Sequence, residues 1–131
     1  MGEVIAALVA LMVPGADRCD ALAALDVVRA ASWASGDEAA LAQVYGRGAG
    51  EGDAARLRAW SEAGVRVEGM RTVRSRCRAS GATGVEVVER LGPAVAVLPD
   101  GSRRALPQDA WDRRVIDLEM VDGRWRIVSV S

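Results

Sequence analysis

Four residue types are missing from this chain, and each absence removes a class of chemistry. It has no His, no Lys, no Asn and no Phe. Without His the commonest general base near neutral pH is gone, and so is the commonest metal ligand. Two Cys and no His cannot build an ordinary structural zinc site, and neither a Ser-His-Asp nor a Cys-His nucleophile system can be assembled. We therefore expect no metal and no cofactor. Any catalysis would have to use carboxylates, Arg, the single Tyr45 or a thiol. Aromatic residues make up only 4% of the sequence, so the four Trp are the large hydrophobes available to fill a core.

What is present is small and apolar. Half of the 131 residues are hydrophobic, Ala above all, and all 17 basic residues are Arg. GC-rich codons favour this composition, which points to a high-GC bacterial source. The length suits one domain with one core. A net charge of −1 gives no global drive toward nucleic acid or an anionic membrane, so no nucleic-acid partner is expected.

Val4 to Val13 is ten apolar or small residues, closed by Pro14-Gly15. A bilayer span needs roughly 20 such residues, so this run is too short. Glu3 precedes it and Pro14-Gly15-Ala16 is a poor cleavage site, which argues against a complete signal peptide. Two readings stand: the tail of an export signal or membrane anchor, or an N-terminal apolar helix packed on the domain. The organisation expected is residues 1–17 as an apolar segment, carrying the only membrane contact, and 18–131 as one α+β domain.

Helical spacing of Leu22, Leu25 and Val28 predicts a largely buried first helix over Asp20 to Ala34, with Asp26 and Arg29 as an i,i+3 pair. Ser35-Gly36-Asp37 breaks it. Ser35 with Glu38 fits a capping box, and Asp37 is a rival cap. Glu38 to Tyr45 reads as a second helix with Leu41, Val44 and Tyr45 inward. Gly46 to Gly52 lacks the ending of a phosphate-binding loop and follows a helix, so it reads as a connector. Asp53 is placed to cap a third helix with Ala54, Leu57 and Trp60 on its core face, stopped by Gly64.

From Val65 the hydrophobic period becomes two. Val65 to Ala79 reads as one long strand bent at Gly69. Strands over Thr83 to Leu91, Ala94 to Leu98, Arg103 to Leu106, Trp111 to Val121 and Arg124 to Val130 follow, the last two joined by the hairpin turn Asp122-Gly123.

The last hairpin, Arg114 to Val128, with its Gly123-Arg124-Trp125-Arg126-Ile127 ending, closely resembles the terminal hairpin of the nuclear transport factor 2-like superfamily. Leu25 to Tyr45, with its Ser35-Gly36-Asp37 break, looks like the opening of the same superfamily. Asp53 to Met70 and Arg90 to Pro107 resemble actinobacterial members held outside the membrane by an N-terminal anchor. The resemblance implies helices packed against a strongly curved antiparallel sheet, a cone. It implies an extracytoplasmic or membrane-anchored place, with a cytoplasmic one as the alternative. It does not imply one function, because the superfamily holds isomerases, dehydratases and non-catalytic adaptors.

Against that background the candidate residues divide. Asp117 and Glu119 alternate with Ile116, Leu118 and Met120, and so belong on a solvated face. Arg66, Arg74, Arg76 and Arg78 share one parity on the long strand. They form either an anion-binding stripe or cross-strand pairs with Glu86, Glu89 or Glu119. Arg71 has the opposite parity and points into the cone unless the bend shifts the register. Tyr45, Arg71, Trp60, Trp125 and Trp33 are therefore the ligand-pocket candidates, with core filling as the plainer role of the Trp residues. Cys19 and Cys77 suggest a bridge if the domain is exported and buried thiols if it is not. The leading expectation is a non-catalytic interaction or ligand-binding domain. Its partners would be a second copy across the sheet, another protein, or a small apolar ligand. The alternative is an isomerase- or dehydratase-type enzyme using a buried carboxylate with Tyr45.

Overall fold

Residues 16–131 are the part of the chain described by this computed structural model; the run Val4 to Val13 lies outside the described residues. The architecture is α+β, with helices packed on antiparallel sheets. Helix α1 (Ala16–Ser35) is followed by the short α2 (Glu38–Ala42) and by α3 (Glu51–Glu62). Seven strands follow: β1 (Arg66–Glu68), β2 (Thr72–Ser80), β3 (Gly84–Leu91), β4 (Val95–Val97), β5 (Arg103–Ala105), β6 (Asp112–Val121) and β7 (Arg124–Val130). They form a three-stranded sheet, β1-β4-β5, and a four-stranded sheet, β2-β3-β6-β7. Among the described residues no helix is long and apolar enough to cross a membrane.

The expected single long strand is two strands in two sheets. Gly69 takes φ +70, a left-handed conformation that carries the chain out of the first ladder. The return crossing lies beside it, where the Gly92 N–H donates to the Arg71 carbonyl at 2.7 Å. Two breaks at one level separate the sheets, and neither sheet closes on itself or is strongly curled. The bulge falls elsewhere than expected, between Arg74 and Arg76 on β2. Arg74 pairs with Glu89 and Arg76 with Val88, leaving Ser75 as the extra residue. Arg74 and Cys77, of opposite parity in sequence, thereby both face α1.

Two apolar clusters make the core. One joins Leu22 of α1 to Val85, Val87, Ile116, Leu118 and Ile127 of the four-stranded sheet. The other joins Trp33, Leu41, Leu57 and Val67 beneath the helices. Tyr45 packs against both. Helix α1 is less buried than its apolar arc suggests, since Val27 and Val28 are exposed. The capping choice goes to Asp37, whose carboxylate accepts from the Ala40 N–H at 3.0 Å, while the Ser35 hydroxyl donates back to the Ala31 carbonyl. Cys19 and Cys77 are joined in a disulfide, with Cα atoms 6.1 Å apart, so the start of α1 is tied to β2.

Candidate functional site

The first turn of α3 places a carboxylate where the sequence suggests only a cap. The N-cap is Gly50, which offers no side chain, and Asp53 lies inside the helix. Asp53, Leu57 and Trp60 are spaced four and three apart, so the acid shares the inward helical face with two apolar residues. Its carboxylate is buried, with 6% exposure. Arg29 of α1 reaches it as a fork, Nε at 2.7 Å from Oδ2 and Nη2 at 2.9 Å from Oδ1. The Tyr45 hydroxyl donates to Oδ2 at 2.8 Å and the Trp33 indole N–H to Oδ1 at 3.2 Å. Four donors converge on two oxygens. Charge-assisted bonds of this kind are about twice as strong as neutral ones.

The electrostatics follow from that geometry. Burial alone would raise the Asp53 carboxyl, but the hydrogen bonds and charge of Arg29, with those of Tyr45 and Trp33, hold it below the usual carboxylate value of 3.8. Tyr45 moves the other way. Burial pushes its phenol up to about 12; the Arg29 charge opposes this and the Asp53 carboxylate adds to it. Burial is the largest single influence on the Arg29 cation and works against it, but the hydrogen bond and charge of Asp53, with those of Tyr45, together outweigh it, and the pKa is raised.

Beside this knot lies a second one. Arg74 of β2 bonds both oxygens of Asp26 on α1, and its Nε sits 2.8 Å from Glu89 Oε2 of β3 as an ion pair rather than an aligned hydrogen bond. The expected Asp26–Arg29 pair along α1 is thus replaced by two longer-range pairs, Asp26 with Arg74 and Arg29 with Asp53. Both knots line one cavity of about 540 Å³ between the helices and the four-stranded sheet. Leu22, Leu91, Ile116, Ile127 and Val130 supply its apolar wall, and Arg56, Arg114 and Asp109 its remaining charges.

The expected site residues separate accordingly. Tyr45 and Trp33 meet on Asp53, and Trp60 packs edge-on against Trp33 with ring centroids 5.8 Å apart. Trp125 is half-buried against the Leu22 cluster and does not line the cavity. Arg71 does not point into the cavity. It is exposed and lines a second cavity, of about 500 Å³, with Met70, the disulfide and the α1 residues Ala23 and Val27; the bulge that follows Arg74 gives that residue the position facing the first cavity. Of the Arg stripe, Arg78 meets Glu86 at 3.0 Å, whereas Glu119 is taken by Arg47 at 2.6 Å. Asp117 accepts from Ser129. Among the described residues, no three of His, Cys, Asp and Glu converge on a metal position.

Gly50 has a further role that the glycine-rich stretch concealed. A Cβ there would lie 2.2 Å from Cδ2 of the Tyr45 ring. Gly50→Ala should cost about 2 kcal/mol through overpacking, read by urea titration. It should also let the phenol pKa fall from about 12 toward its ordinary value of 10. The chain has one Tyr, so the ultraviolet phenolate signal is unambiguous. An unchanged phenol titration would mean that the ring does not rest on Gly50.

The chain matches no protein-family profile and no curated protein sequence. It is similar in fold to the intermembrane space region of the chloroplast protein ARC6, with a TM-score of 0.65 over 91% of this chain and 95% of that one, at 10% sequence identity. At that identity the likeness is one of fold.

Proposed function

We propose that this chain is a non-catalytic binding domain that works outside the cytoplasm, a flattened relative of the nuclear transport factor 2-like cone whose cavity receives a small ligand. The observation that carries the non-catalytic part is the saturation of Asp53. A carboxylate acting as general base or acid needs a pKa near the working pH and a free lone pair facing the substrate. Asp53 has the opposite shift, and its oxygens are occupied by donors from Arg29, Tyr45 and Trp33. A phenol pushed up to about 12 is equally remote from proton transfer at neutral pH. An isomerase-type enzyme that paired Asp53 with Tyr45 is opposed by both shifts.

Place is supported by the disulfide, since such bonds persist in oxidising compartments. The fold-mate's own location in an intermembrane space is compatible with that setting. A protein partner, or a second copy across the sheet, completes the proposal. In intact producer cells, Cys19 and Cys77 should be found oxidised and the domain open to added protease. Two free thiols in a protected domain would contradict the location.

The sign of a pH dependence tests the non-catalytic reading. A group with a depressed folded pKa contributes stability above its unfolded pKa and loses it as pH falls through the folded value. The stability difference between the wild type and Asp53→Asn should therefore be flat from about pH 5 to 8 and shrink only below about pH 4. Using the difference cancels the other carboxylates. A general base with a raised pKa would show the reverse, a difference that changes as pH rises from about 5 to 7.

A further inference from the structure

We infer that the face of the four-stranded sheet turned away from the helices is a docking surface for an acidic segment of a protein partner. This rests on the binding-domain reading and names the chemistry of its protein partner. Alternation along β3 sets the face. Val85, Val87 and Glu89 are buried on the side of α1, so Glu86, Val88 and Arg90 point the other way. The register then fixes their neighbours. On β2, Arg78 lies opposite Glu86, Arg76 opposite Val88 and Val73 opposite Arg90. On β6, Val115 lies opposite Glu86 and Arg113 opposite Val88. The bulge at Ser75 makes this arrangement, since it leaves Arg74 inward and turns Arg76 and Arg78 outward. The Arg90 guanidinium carbon lies 4.6 Å from the centroid of the Trp111 ring, which places Trp111 on the same face.

Arg76, Arg78, Arg90 and Arg113 share this face with Glu86 and Asp117, and the acids do not neutralise it. Glu86 meets Arg78 at 3.0 Å and Arg113 at 4.0 Å, while Asp117 accepts from Ser129. Among the described residues Arg76 has no ion-pair partner, and the Arg90 Nε has no acceptor. Arg76 and Arg113 flank Val88 in one cross-strand row with no acid between them. Like charges set across a sheet are unfavourable, and a carboxylate lying over Val88 relieves both. Arg90 is held by its stack on Trp111, which keeps the planar edge of its guanidinium turned to a partner. Trp111 is 46% exposed, and Trp and Arg are the residue types in which binding energy concentrates. Val73, Val88 and Val115 are half-buried among the arginines and offer aliphatic contact between the charges. Nucleic acid suits the face less well. Its phosphates would run over Glu86, and one face of the Trp111 ring already carries Arg90 instead of standing open to a base. A second copy meeting this face two-fold with its own would set arginines against arginines.

Fluorescence anisotropy at low ionic strength separates these occupants with three labelled probes: a short peptide of alternating Glu and Val, the same peptide with Gln in place of Glu, and a short oligothymidylate. The acidic peptide should bind at least about tenfold more tightly than either of the others, and its affinity should fall as salt is added. Arg76→Gln with Arg113→Gln should weaken the acidic peptide by about tenfold or more. Arg58→Gln with Arg103→Gln changes the net charge by the same amount at exposed positions on α3 and β5, and should bind as the wild type does. Equal binding of the Gln peptide, no binding of the acidic peptide, tighter binding of the oligothymidylate, or full binding by a cooperatively folded Arg76→Gln, Arg113→Gln protein would each overturn the assignment. So would an equal loss in the Arg58→Gln, Arg103→Gln protein, or sedimentation showing that the free chain self-associates through Arg76 and Arg113. Any of these results, alongside an acid-limb dependence that places Asp53 low, would leave the non-catalytic reading standing.

Discussion

Asp53→Ala should destabilise the fold by about 3–5 kcal/mol, the cost of leaving a buried cation without its counter-charge. Arg29 retains only 22% exposure, and among the described residues the carboxylate it bonds in two places is the sole acceptor of its Nε and Nη2. The same substitution leaves the Tyr45 hydroxyl and the Trp33 indole N–H without the oxygens they bond, which adds a desolvation cost to each. The consequence reaches beyond one contact. Arg29 comes from α1, Tyr45 from the segment paired with Ile127, and Asp53 from α3, so the carboxylate is where three parts of the chain are fastened. Urea titration at neutral pH measures the loss. Arg29→Met should cost a similar amount, and the double-mutant cycle with Asp53→Ala should return a coupling of about 2 kcal/mol. A loss for Asp53→Ala below about 1 kcal/mol would mean that water, not Arg29, is the group's real partner.

Reduction of the disulfide is the second large effect. Cys19 and Cys77 are 58 residues apart, and the loop-closure model assigns a loop of that size about 4 kcal/mol of stabilisation through the unfolded chain. Cys19→Ala with Cys77→Ala should lower the urea-extrapolated stability by that order. Local opening should also become easier at the start of α1, because Leu22 and the bridge anchor that end against β2 and β3. Amide exchange should then quicken between about residues 18 and 24 before it quickens in β3 or β6. A double variant as stable as the oxidised parent would contradict the tether.

The elements that the sequence makes legible are those governed by local chemistry. Asp122-Gly123 closes the last hairpin, with Asp122 at φ 50 and Gly123 at φ 78. Gly64 at φ +75 stops α3, and Leu57 and Leu41 fill the core that their spacing assigns them. The Cys19–Cys77 tether was one of two readings, the one expected of an exported domain, and the structure shows it. What local pattern cannot carry is the place where a ladder slips. Alternation through Val65 to Ala79 looks continuous, because a left-handed Gly69 and a bulge at Ser75 leave the residue types undisturbed while changing which face each one takes. That slip moves the inward cation from Arg71 to Arg74. Asp53 was obscured by its own chemistry, since an Asp near a helix start reads as a cap. Its four-and-three spacing to Leu57 and Trp60 was the signal of inward placement. Arg29 was obscured by Asp26, an apparent partner three residues away that the fold gives to Arg74 instead.

A carboxylate that serves as a fixed ion-pair partner titrates differently from one that serves as an acid–base group. Carbon-13 NMR of the Asp side-chain carboxyls, with Asp53→Asn used to identify the Asp53 resonance, reads it directly. Asp53, bonded to Arg29, should titrate below 3.8 and stay ionised through the neutral range. A midpoint at or above about 5, raised rather than lowered from the ordinary carboxylate value, would contradict it.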